Sequence, residues 1–319
     1  MTKSVTKSQA AKRMGMPTKM PFRLALSRYW GLYVIVGVIM AYYLLFYYWP
    51  IVMGVMMAFK EVKLGMSVFN APWVGVENFD YIFHDSEILR VTKNTLILSV
   101  LRLFWTFWPP IVLAIMIFDL TSAKYKRVCQ TFVYIPHFFS WVIMYGIVFA
   151  FFSGNGMINN IIAALGGRKQ DFLMNSGLFR SLLVGSQVWK GTGWGTILYF
   201  AALTNVNPEL YEAAKIDGAN DREILFKIKI PMVMPSVTIC TFLTLTNSFK
   251  LFDQNVALTA GEPANASEML ALNIYNTFYG RSGAQWKGIG QAKAVVFFLI
   301  VVVISLAQLH FTRSKEVQQ

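Results

Sequence analysis

The chain has 319 residues, of which 55% are hydrophobic and 14% charged, with a mean hydropathy of +0.48. A soluble domain carries about a quarter charged residues, so this composition excludes one and describes a polytopic membrane protein. The formal charge of +13 does not require nucleic acid, because basic residues at a membrane surface meet anionic lipid and set topology.

Residues 1–30 carry Lys3, Lys7, Lys12, Arg13, Lys19, Arg23 and Arg28 and no acid, which places this tail in the cytoplasm by the positive-inside rule. At its end, Phe22, Leu26 and Tyr29 or Trp30 recur at helical spacing beside basic residues, as in a short helix lying among lipid headgroups. No signal-peptide cleavage pattern is present, and the first apolar stretch is expected to stay as a spanning helix. That helix is predicted over 31–50, with Pro50 kinking it before any continuation. With the external loop that follows, it makes up residues 31–92. The loop holds Glu61, Glu77, Asp80, Asp85 and Glu87 against Lys60, Lys63 and Arg90.

A core follows over 93–311. Helix 2 is predicted at 94–118, with Arg102 and the pair Pro109-Pro110 inside it. The next loop, with Lys124, Lys126 and Arg127, faces inward. Helix 3 is predicted at 132–152, with Pro136 and His137 near its start; a Gly- and Asn-rich external loop follows to 180. Helix 4 covers 181–203, helix 5 covers 233–252 and helix 6 covers 292–311; the tail 312–319 returns inside. Sixteen Lys and Arg fall in the shorter inside segments and nine in the longer outside loops. The predicted fold is therefore all-α, with six transmembrane helices and both termini cytoplasmic. No internal repeat supports an inverted-repeat transporter.

The polar stretch between helices 4 and 5, residues 207–235, is strongly punctuated. Asn207 is a good N-cap, Pro208 suits the first helical position, and Glu209 and Glu212 favour the positive end of the helix dipole. Gly218 can adopt the left-handed conformation that ends a helix. The helix between them is about ten residues, or 15 Å, too short to cross a bilayer. Asn220 and Glu223 then start a second helix in a near capping box, with Ile224, Leu225 and Ile228 on one side, leading to Pro231 and Pro235. The result is a docking knob, and the small pair Ala213-Ala214 lets it enter a cleft closely.

Glu212-Ala213-Ala214, three residues, Gly218, nine residues, then Ile228-Lys229-Ile230-Pro231 resembles the EAA loop of ABC-importer permeases. Ile230 stands where that family usually has leucine. The surrounding LYEAAKIDGA and the WVGVENF of 73–79 are similar to the carbohydrate branch, of the maltose and glycerol-phosphate type. The resemblance implies a type I importer permease fold in a bacterial inner membrane. It also implies a second permease in a heterodimer, two ATPase subunits and an extracytoplasmic binding protein that delivers a saccharide. ATP and magnesium would be bound by the ATPases, and this chain would need no cofactor of its own. Glu212 is then the candidate for a salt bridge to the ATPase cleft and Gly218 for the elbow, with Ala213, Ala214, Asp217, Ile228 and Pro231 completing the coupling set.

Charged groups inside spanning segments usually face a cavity or a partner. Arg102, Lys190 and Lys250 qualify. Helix 4 also gathers Gly185, Gly191, Gly193 and Gly195 around Lys190, with Trp189 and Trp194, and aromatic faces stack on sugar rings. Asn247 and Lys250 share a face of helix 5, with Asp253 just beyond. One reading is a saccharide passage lined by helices 3, 4 and 5; the other is that the lysines snorkel or pair locally and the glycines serve packing. If the cations face the passage, oligosaccharides of uronic acids such as alginate or pectin fragments would suit them.

Other chemistry finds little support. His84, His137 and His310 are far apart, Cys129 and Cys240 have neither disulfide nor zinc spacing, and no phosphate-binding G-x-x-x-x-G-K-S/T occurs. A membrane-embedded sugar transferase would have only Asp217 with Asp221 as a close acidic pair on the inside. A secondary symporter lacks intramembrane carboxylates.

Overall fold

The computed structural model describes residues 22–63, 65–249, 251–261, 263, 266–280 and 287–313. Two compact units divide the chain, one ending at Met56 and one beginning at Met57. The first contains α1 (Phe22–Arg28) and most of α2 (Trp30–Ala58). Along α2 the large apolar side chains are exposed, including Leu32, Val38, Leu45 and Phe46, as suits a helix whose solvent is lipid. The helix does not stop at Pro50. One π turn, Leu44–Tyr48, precedes the proline and contains Phe46, whose carbonyl the ring would otherwise meet.

The second unit holds α3 (Glu77–His84), α4 (Ser86–Asp119), α5 (Ala123–Tyr134), α6 (Trp141–Phe152) and α7 (Met157–Ala164). It continues with α8 (Ser176–Thr204), α9 (Pro208–Ile216), α10 (Asp221–Phe249), α11 (Asp253–Leu258), α12 (Leu270–Tyr279) and α13 (Lys287–Arg313). Among the described residues, five segments are long and apolar enough to span a membrane: α2, α4, the α6–α7 segment Trp141–Ala164, α10 and α13. The sixth expected helix, α8, has 29 residues, about 44 Å of helix. Its glycines, Ser181, Gln187 and Lys190 keep it below that apolarity.

Helix 3 requires a correction. It is not continuous from 132: α5 ends at Tyr134, a 3-10 turn occupies Ile135–Phe138, and α6 begins at Trp141 with the Ser140 hydroxyl capping the Ile143 N–H. Pro136 supplies the cause, since it removes a backbone donor. In α10 a second π turn, Leu225–Lys229, again contains the carbonyl four residues before a proline, Lys227 before Pro231. Helix 5 therefore runs unbroken from the capping box into the membrane.

The frame is the parallel pair α4 and α8. Arg180 donates to Asn94 at 3.1 Å near their N-terminal ends, and further along Thr196 donates to the Pro110 carbonyl at 3.4 Å. A Cβ on Gly195 would sit 3.0 Å from the Pro110 ring, so this glycine is needed for the close approach. Ile111, Ala114, Tyr199, Leu203, Val233 and Val237 fill one core where α10 packs across both helices. A second core joins Ala58, Ile82, Ile88, Val91, Leu270, Ile289 and Ala292 at the other end.

Candidate functional site

The knob between α8 and α10 is built by local chemistry. Asn207 Oδ1 accepts the Glu209 N–H at 3.1 Å, which satisfies one of the orphan donors at the start of α9. The helix ends in a Schellman arrangement, with Ala219 N–H on the Ala214 carbonyl at 2.9 Å and Gly218 N–H on Lys215 at 3.1 Å. Gly218 has φ +79° with open space around its Cα, so conformation rather than crowding requires glycine. Asn220 and Glu223 form the reciprocal capping box at 3.0 and 3.1 Å, and Lys227 reaches Glu223 at 2.9 Å.

No residue of α9 is buried. Glu212, Ala213 and Asp217 are exposed, Ala214 and Ile228 half-buried, and Pro231 exposed. Ile216 is 86% exposed and Leu210 47%, an apolar surface on a helix otherwise given to water. A cleft of about 670 Å³ behind the knob is lined by Phe118, Asp119, Tyr211, Lys215, Arg222 and Lys229. Asp119 at the end of α4 pairs with Lys229 of α10, a tie across 110 residues that the sequence reading missed. Tyr211 lies against Phe118 at 5.9 Å between ring centroids. Its hydroxyl is held above its ordinary pKa by burial and then by the Asp119 carboxylate.

The intramembrane candidates fall in several places. Lys190 Nζ donates at 2.6 Å to the carbonyls of both His137 and Phe139 and lies 5.6 Å from the Trp141 ring centroid. Those carbonyls belong to the break between α5 and α6, where the helix cannot use them. Lys190 thus fastens the break to α8, as the local-pairing alternative expected. Gly193 lies against the Val133 carbonyl, which a Cβ would overlap. Trp194 stacks on the His137 ring at 4.4 Å and 8°. Residues 190, 193 and 194 form one face of α8 shaped to receive a broken helix.

Trp189 points elsewhere. With Leu101, Trp105, Arg180, Val184 and Gly185 it lines a cleft of about 570 Å³ between α4 and α8; Trp105 was not singled out by sequence. Asn247 and Asp253 are exposed, and Lys250 lies outside the described residues. Arg102 is 7% exposed, with Nε and Nη1 buried and without a hydrogen-bond partner. Among the described residues, these candidates form no single cluster.

A different polar cluster sits at the opposite end of α4. Glu268, 4% exposed, accepts from Arg90 at 3.0 Å, Asn273 at 3.2 Å and Asn276 at 3.1 Å. Asn94 donates to its backbone carbonyl. Lys293, equally buried, donates to Asn273 at 2.8 Å and Thr277 at 3.0 Å. Among the described residues, no group of His, Cys, Asp and Glu is placed to hold a metal.

Comparison with known proteins fits this architecture. Protein LplB of Bacillus subtilis is 35% identical over 88% of this chain and 87% of its own. The polygalacturonan/rhamnogalacturonan transport system permease protein YteP of the same organism is 33% identical over 90% and 88%. A crystal structure of a bacterial ABC transporter involved in import of the acidic polysaccharide alginate contains a chain 30% identical to this one. It superposes with a TM-score of 0.83 and covers 93% of this chain and 100% of its own. The family model for the binding-protein-dependent transport system inner membrane component matches residues 96–317, from α4 through the knob to α13, and the chain belongs to that family.

Proposed function

We propose that this chain is one of two permease subunits of an ABC importer for oligosaccharides, acidic ones among them. The observation that carries the reading is the knob: a short helix, capped at both ends and buried nowhere, presents an apolar and acidic surface that nothing among the described residues covers. Two ATPase subunits grip this knob and its counterpart on the second permease, with Glu212 paired to a basic residue of the cleft and Ala213 and Ala214 allowing close entry. Closure of the ATPases moves Tyr211 to Gly218 as a rigid body. The tie of Asp119 to Lys229 passes that movement to α4 and α10 together, exchanging inward and outward access. A binding protein delivers the saccharide at the far end, and both termini lie in the cytoplasm.

The saccharide passes Trp189 and the side of Trp194 not stacked on His137, with Asn247 and Asp253 as the other candidates for the path; Lys250, also a candidate, lies outside the described residues. Lys190 acts beside them by holding the helix break. The acidic part of the proposal draws on the names of YteP and of the alginate transporter, and on Arg102, whose Nε and Nη1 are buried without a hydrogen-bond partner among the described residues. The experiment is ATP-driven uptake by the complex reconstituted with its companion permease, ATPase and binding protein. Uronate oligosaccharides are expected to enter faster than neutral ones of equal length. Equal or faster entry of the neutral sugar overturns the acidic assignment, and stable assembly without any ATPase overturns the permease reading.

A further inference from the structure

The segment between α10 and α13 is mounted with unusual care. Besides the Glu268 and Lys293 contacts, Thr95 of α4 accepts the Leu270 N–H at 2.8 Å. Asn255 holds both the Ser267 carbonyl at 2.9 Å and the Met269 N–H at 3.1 Å. These bonds fix the buried face of α12, which carries Leu270, Asn273 and Thr277. Buried polar networks are costly unless fully satisfied, and once satisfied they rigidify what they hold. What they hold here is a ten-residue helix at the end of α4 opposite the knob.

The other face of α12 is a row of rings. Tyr275 and Tyr279, one turn apart, have centroids 4.6 Å apart, and Phe252 at the foot of α11 lies 5.0 Å from Tyr275. Tyr275 is 44% exposed and Tyr279 69%. A row meant only for packing would be covered, and one meant for lipid would not sit beside the exposed Asp253. Tyrosine offers a flat apolar face with a hydroxyl at its rim, which matches the apolar ring face and hydroxyl edge of a sugar. Fixed rings on a rigid support lose little entropy on binding.

We propose that Phe252, Tyr275 and Tyr279 form an entry subsite that stacks successive rings of an incoming oligosaccharide. The proposal rests on the saccharide reading but not on the acidity of the cargo, because stacking uses the apolar faces of the sugar rings and not their charged substituents. A stacking row rewards length: a short oligomer leaves part of it empty, whereas a longer one covers it.

The test uses the reconstituted complex and two probes, galacturonate disaccharide and pentasaccharide; maltose and maltopentaose replace them if wild type takes up only neutral sugar. In the Tyr275→Ala/Tyr279→Ala variant, pentasaccharide uptake is expected to fall about tenfold, equivalent to about 1.4 kcal/mol of lost stacking, with disaccharide uptake changed less than about twofold. The Tyr275→Phe/Tyr279→Phe variant keeps the rings and is expected to stay near wild type. Tyr279→Ala alone, at the most exposed ring, gives a smaller loss of the same kind and guards against misfolding of the double variant. An equal fall for both lengths marks a structural or subunit-contact role and overturns the proposal, as does no change for either. If the wild-type complex imports neither class of sugar, the saccharide reading fails and the subsite with it.

Discussion

The two ends of α4 solve opposite problems. At its N-terminal end, Arg90, Asn94 and Thr95 enter a buried network in which Glu268 and Lys293 bond to groups more than a hundred residues away or on a neighbouring helix. At its C-terminal end, Asp119 meets Lys229 beneath a helix with no buried residue. One end is fastened by this chain alone. The other has stable local geometry but an uncovered surface, which is what a part gripped by another protein requires. Rigidity at the first end comes from long-range bonds, and at the second from caps within a few residues.

Breaking the fastened end is expected to have the largest effect. Glu268→Ala removes the acceptor shared by Arg90, Asn273 and Asn276 and leaves a buried lysine with fewer acids around it. The cost is about 3 kcal/mol, the lower end for a broken buried pair, because Arg90 is 35% exposed. The purified complex should melt several degrees lower, and Glu268→Gln should recover part of the loss. An unchanged melting temperature would mean that the network is ornamental. Lys190→Met comes next, at about 2 kcal/mol, since two carbonyls lose charged donors. It tests whether the helix break belongs to the fastened part: if so, melting and uptake fall together.

At the exposed end the effects are smaller and of another kind. Gly218→Ala places a side chain at φ +79°, a strain of about 1 kcal/mol, in open space where nothing clashes. Melting of the permease should barely move, whereas ATPase binding or the uptake driven per ATP should drop because the elbow is re-aimed. A loss of melting temperature as large as that of Glu268→Ala would erase the contrast between the ends.

What the sequence revealed follows the same division. Asn207, Gly218 and the Asn220–Glu223 box were readable because each bond spans at most five residues, and a residue type suited to the position announces it. The apolar runs located the spans, but their ends came out wrong wherever helix continues past the apolar stretch, as at Ser86 and Ser176. The break at Ile135–Phe138 was hidden inside largely apolar sequence, with Pro136, His137 and the capping Ser140 as its marks. Lys190 was left between lining a passage and pairing locally, because its partners are backbone carbonyls, which no residue type advertises. Glu268 was missed altogether: its partner Arg90 is 178 residues distant, and a lone acid in a polar loop reads as solvated.

The smallest effect tests the contrast most sharply. Asn207 is exposed, and its side chain serves only the first turn of α9, accepting from Glu209 N–H and donating to the Glu209 carboxylate at 3.0 Å. Asn207→Ala should cost about 0.5 kcal/mol, the low end for an exposed N-cap. That is too little to register in the melting of the whole bundle. It falls, however, on a nine-residue helix, a length at which helices are marginal without tertiary support. Fraying should therefore be visible locally, as faster hydrogen exchange in the first turn of α9 and unchanged exchange in α12. Under the proposed function, addition of the ATPase should restore the protection, because docking would supply tertiary contacts that the described residues do not provide. If exchange in α9 is instead unchanged with or without the cap, the knob owes its order to the bundle beneath it, and its stability is not local.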